Sequence, residues 1–200
     1  MLYNYITLFF IYSVVGWIIE VTLTLITDHK FVNRGFLIGP YTPIYGVGMI
    51  GLIICLSKIH NIFLLFLVTF ILCTALEFFT SLILEKLFKL KWWDYKQFTF
   101  NFKGRVCLET MIPFTIAGVL IVEYVNPLIV RLINKVPLKI LIIIDLILLT
   151  IFIIDVIISN VFMKKMDLST SDNDDTAEIK KKMKKDIEKN VKKHIKKNHD

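Results

Sequence analysis

The sequence predicts an all-α, polytopic membrane bundle of about five transmembrane helices, arranged as two related hairpins plus one helix, with a basic amphipathic helix at its end. Three observations carry this. Of 200 residues, 56% are hydrophobic and the mean hydropathy is +0.66, beyond what an ordinary soluble domain of this length carries. The apolar runs approach or exceed the about 20 residues that cross a hydrocarbon core. Finally, 12 of the 24 Lys and Arg residues fall after Val161, so most of the formal charge of +7 sits in a tail and one loop. That distribution fits an anionic membrane surface and argues against nucleic acid.

The first span is placed at about 4–27. Ser13, Gly16, Glu20, Thr24 and Thr27 recur at intervals of three and four, one stripe for protein or a polar cavity, with Phe9, Ile18 and Leu25 left for lipid. No basic region precedes it and no small-residue processing site follows it, so it is read as a retained helix. Next, Arg34, Gly35, Gly39, Pro40 and Pro43 interrupt helical geometry. Irregular backbone at membrane depth must be buried in protein or line a cavity, so this segment is either a surface turn or a re-entrant lining. The second span, about 42–57, is rich in glycine for close packing.

In the third span, about 62–87, Thr74, Glu77, Ser81 and Glu85 form a second carboxylate-bearing stripe able to face the first. Glu85 has Lys89 as its local i+4 partner. The loop KLKWWDYKQFTFNFKGR mixes Trp92, Trp93 and Tyr95 with lysines; interfacial anchoring accounts for most of it, while Asp94 and Asn101 point to something more specific. The fourth span, about 106–124, opens on Arg105 and Glu109. The fifth, about 140–163, carries Asp145 and Asp155, which lie on different azimuths and so look to other helices for partners.

Residues 1–163 are thus expected to form the membrane domain and residues 164–200 a cytoplasmic tail. In the tail Ile179, Met183, Ile187, Val191 and Ile195 share one drifting face among lysines, suited to anionic inner-leaflet lipid. Loop charge sets orientation. Lys30, Arg34, the six basic residues from Lys86 to Arg105 and the tail lie on one side, against Lys58, Arg131, Lys135 and Lys139 on the other. The N-terminus is therefore expected outside and the C-terminus in the cytoplasm of a multi-pass cell-membrane protein.

An intramembrane carboxylate costs several kcal/mol unless it is partnered, which makes these acids and the nearby arginines the candidate site. Glu20 and Glu77 are expected to pair with Arg34 and Arg105. The full candidate substrate-binding set is Glu20, Arg34, Tyr45, Glu77, Asp94, Asn101, Arg105 and Glu109. A faint repeat runs through it: Glu20, Arg34-Gly35 and Pro43, then Glu77, Gly104-Arg105 and Pro113, a parallel duplication if real. Cys55, Cys73 and Cys107 show no ligand spacing, the four histidines are scattered, and no metal, cofactor or Ser-His constellation is expected.

Four blocks can be read together: YSVVGWIIE (Tyr12 to Glu20), NRGFLIGPYTPIYGVG (Asn33 to Gly48), LEFFTSLILEKLFKLKWWDY (Leu76 to Tyr95) and NFKGRVCLE (Asn101 to Glu109). Their order over residues 5 to 130 resembles the ABC-transporter type IV (CmpB-like) permease family. The resemblance implies a membrane permease component. No G-x-x-x-x-G-K-[ST] loop occurs in the chain, so an ATP-binding subunit would be separate. Five spans are few for a complete pathway, and a homo-oligomer is expected. A membrane scaffold or regulatory subunit, and an enzyme acting on lipid headgroups, are the competing classes.

Overall fold

A computed structural model describes residues 2–29, 31–33, 35–57, 59–89, 91–165 and 185. The lysine-rich tail beyond residue 165, with its expected amphipathic helix, lies outside the described residues, Lys185 excepted. Arg34 does too.

The helices are α1 (Leu2–Asp28), α2 (Pro43–Leu56), α3 (Ile62–Phe88), α4 (Leu108–Leu120), α5 (Asn126–Ile133) and α6 (Leu138–Lys165). A π-turn, Ile121–Val125, joins α4 to α5, and a two-stranded antiparallel hairpin of β1 (Asn101–Phe102) and β2 (Val106–Cys107) precedes α4. Among the described residues, four helical runs are long and apolar enough to cross a membrane: 5–27, 62–88, 108–133 and 138–163.

The expected second span is the exception. At 14 residues, α2 is about 21 Å long, short of the about 30 Å hydrocarbon core. It is short because the chain has already descended beside α1 before the helix starts. Thr42 N–H donates to the Ser13 carbonyl at 2.9 Å, and Ser13 lies 15 residues before the end of α1, about 22 Å along the axis. The 35–42 segment thus folds back against the middle of α1, the geometry that the re-entrant reading of the sequence expects.

The fourth run is longer than the expected 106–124. It continues to Ile133 through the π-turn, where Asn126 N–H reaches the Ile121 carbonyl. Pro127 explains the irregularity: it lacks an N–H, and its ring displaces the carbonyl one turn back.

Helices α1 and α2 form one packed hairpin, α3 and α4 the next, and α6 lies along α1. Thr7 Oγ1 donates to both Asp145 oxygens at 3.0 and 2.8 Å, and the Phe152 ring meets Phe9 and Phe10. Both contacts advance in the same direction, so α1 and α6 run parallel. Phe9 therefore packs against protein instead of facing lipid; Ile18 and Leu25 are exposed as expected. The core gathers Leu8, Tyr12, Leu52, Leu65, Val119 and Leu141. A second cluster, Phe88, Trp92 and Met163, closes the opposite end. Trp92 is buried there, so the anchoring expected of it gives way to core packing.

Candidate functional site

Two tyrosines bring the carboxylate stripes together. On α1, Ser13 and Thr24 are buried and Gly16 lies under the Tyr45 ring, whose Cδ2 is 2.5 Å from where a Cβ would stand. That ring directs the Tyr45 hydroxyl to Glu20 Oε1 at 2.8 Å. On α3, Glu77 Oε1 accepts from the Tyr95 hydroxyl at 2.9 Å. Glu77 lies 11 residues before the end of α3, about 16 Å below it, so the 91–107 loop folds back into the bundle to reach it. Glu20 and Glu77 are within electrostatic range of each other and of both phenols. The expected facing of the stripes is present, and among the described residues neither carboxylate has a cation at ion-pair distance.

Arg105 goes elsewhere. Its guanidinium forms an ion pair with Glu85 and donates to Ser81 Oγ at 3.1 Å, while its carbonyl accepts from Trp93 Nε1 at 2.9 Å. The expected pairing of Arg105 with Glu20 or Glu77 is therefore corrected, and so is that of Glu85 with Lys89. Ser81 and Glu85 are one turn apart on α3 and offer one guanidinium two acceptors. Lys89 instead takes the left-handed C-cap position at φ 57°. Arg105 thus clamps the loop to the last turns of α3.

Asp94, Asn101 and Glu109 shape that loop. Asp94 accepts from Lys96 N–H at 3.1 Å and lies near Lys91 and Lys96 at 3.7 and 3.5 Å. Asn101 accepts from Gly104 N–H at 2.9 Å and donates to the Phe98 carbonyl at 2.7 Å. Glu109, in the first turn of α4, accepts from Phe100 N–H at 3.2 Å, where a carboxylate is also favoured by the helix dipole. Of the eight candidates, Glu20, Tyr45 and Glu77 converge. Arg105, Asp94, Asn101 and Glu109 hold the loop carrying Tyr95, the residue that sequence reading treated only as an anchor.

Asp155 is the other group whose partners the sequence concealed. From α6 it accepts Ile38 N–H at 3.1 Å, Gly39 N–H at 2.8 Å, the Tyr41 hydroxyl, and Ser159 Oγ at 2.9 Å. Four donors satisfy one buried carboxylate with no cation at ion-pair distance among the described residues, and the 35–42 segment is thereby fastened to α6.

The phenols of Tyr41 and Tyr95, both outside the spanning helices, are pushed above the ordinary tyrosine range, first by burial and then by Asp155 and Glu77 respectively. Their protons are thus fixed as donors at physiological pH. The stability they contribute is complete below about pH 10, the unfolded tyrosine value. It falls as pH rises further, because the unfolded chain releases these protons first. The unfolding midpoint should drop above pH 10, and less steeply in a Tyr41→Phe, Tyr95→Phe double variant; identical slopes would remove these phenols from the alkaline transition.

Among the described residues, no group of three or more His, Cys, Asp or Glu is placed to hold a metal ion. No curated protein and no solved structure matches the chain. A family profile does, over residues 7–160, a span that includes most of α6 and so extends past the resemblance read from residues 5 to 130. With the two carboxylate helices, the 35–42 segment, the loop carrying Tyr95 and the Asp155 anchor inside the matched region, the chain belongs to the family described as "Putative ABC-transporter type IV".

Proposed function

We propose that this chain is the permease component of an ABC-type transport system, with Glu20, Tyr45, Glu77 and Tyr95 as the centre that contacts substrate. The observation carrying the reading is the convergence of two carboxylates and two phenols, from α1, α2, α3 and the folded loop, at a depth where ionisable groups are costly. Arg105, Glu109, Asp94 and Asn101 act in this reading as positioning residues. Arg34 stays in the set by its place in the NRGF block of the sequence.

Short helices that start inside the bilayer beside irregular backbone are a recurring way of building a transport site, and α2 has that form. ATP hydrolysis would come from a separate subunit meeting the basic end of the bundle, which loop charge assigns to the cytoplasm. A homo-oligomer would complete the pathway.

Purification from native membranes in mild detergent tests this. An ATP-binding subunit should co-purify, and Glu77→Gln should lower the ATPase activity of the complex about tenfold, equivalent to about 1.4 kcal/mol, with the amount of inserted protein unchanged. Tyr95→Phe should give a smaller loss in the same direction. Full activity in Glu77→Gln, or lipid turnover by the isolated chain, would overturn the reading.

A further inference from the structure

Beside the hairpin lies a lateral groove of about 310 Å³ that is separate from the carboxylate cluster. Ile71, Thr74, Ala75 and Phe78 of α3 form one wall; Phe102 and Val106 form the other. The groove lies midway along the 62–88 span, where the surrounding medium is hydrocarbon. At one end the Phe78 and Phe102 rings meet at 5.6 Å, and over the Phe102 ring stands the Lys103 ammonium, 5.5 Å from its centroid. The walls are thus apolar apart from the Thr74 hydroxyl, and a cation stands just beyond them at the Phe102 end.

The backbone at Lys103 points the same way. Arg105 N–H closes a turn onto the Phe102 carbonyl at 3.1 Å, with Lys103 at φ 55° and Gly104 at φ 68°. Two successive positive φ values mark a type I′ turn, whose first central position favours Asn, Asp or Gly. A lysine there is strained, and such strain persists where a side chain has a use. The Gly104 position is fully explained by packing, since a Cβ would press on Asp94 and Lys96; the Lys103 position is not.

We infer that this groove is a binding site for one phospholipid with an anionic headgroup, an acyl chain lying between α3 and the hairpin and the phosphate meeting the Lys103 ammonium. An amphiphile oriented this way matches the order of surfaces along the groove. A four-carbon stem lets lysine lie on apolar surface while its charge reaches toward the headgroups. The site does not depend on the transport reading.

Native mass spectrometry of the delipidated full chain, titrated with phosphatidylglycerol or phosphatidylcholine of identical acyl chains, tests it. The wild type should hold one phosphatidylglycerol about tenfold more tightly than phosphatidylcholine. Lys103→Asn, which suits the turn and preserves folding, should abolish that preference. Lys135→Asn, in the α5–α6 connection, should retain it. Ala75→Phe should weaken both lipids by a similar factor. Undiminished preference in Lys103→Asn would overturn the site, as would unchanged binding in Ala75→Phe, or Ala75→Cys cross-linking to a second copy of the chain.

Discussion

Asp155→Ala is expected to be among the most destabilising single substitutions in the protein, at about 3–5 kcal/mol. The carboxylate is only 8% exposed and is the shared acceptor for Ile38 N–H, Gly39 N–H, the Tyr41 hydroxyl and Ser159 Oγ. Removing it strands two backbone donors and a phenol, each costing about 1–3 kcal/mol when buried without a partner. Part of that is recovered as the segment relaxes. Asp155→Asn keeps the volume and one acceptor oxygen and should lose roughly half as much. Unfolding in mixed micelles with increasing denaturing detergent measures both, and hydrogen exchange at Ile38 and Gly39 locates the effect. A loss below about 1 kcal/mol with unchanged exchange would mean that the segment holds itself in place.

Gly46→Val should follow closely, at about 3 kcal/mol, the upper part of the overpacking range. A Cβ at Gly46 would stand 2.6 Å from the Phe9 carbonyl oxygen and against the Ser13 hydroxyl. The Ser13 hydroxyl could turn away, but the Phe9 carbonyl is backbone, so no side-chain rotation clears it, and α2 must separate from α1. Tyr45, one residue earlier, would then leave Glu20. The informative control is Gly51→Val on the same helix, where no heavy atom lies within 4 Å; it should change stability by less than about 0.5 kcal/mol. Equal effects at Gly46 and Gly51 would show that helix propensity, not helix contact, governs both.

The stripes were legible in advance because three- and four-residue spacing specifies which face of a helix a side chain takes. Ser13, Gly16, Glu20 and Thr24 point into the bundle for that reason, as do Glu77 and Ser81. Which group lies opposite is another matter. Arg105 is equally available, by spacing, to Glu77, Glu85 or Glu109. The choice of Glu85 follows from where the hairpin turn puts the guanidinium, and that turn depends on Asn101, Gly104 and Asp94. Trp92 likewise reads as an anchor by composition, and becomes core because Met163 and Phe88 meet it from helices far apart in sequence.

The sequence by itself determined that this is a membrane bundle, where the long helices run, and which faces carry acids, since hydropathy, length and periodicity are properties of contiguous residues. Only the tertiary structure decided that α2 begins beside the middle of α1, that Tyr45 and Tyr95 receive the two glutamates, and that Asp155 secures the broken segment. Each of these joins residues more than 15 positions apart, and geometry at that range is set by packing, to which no local pattern gives access.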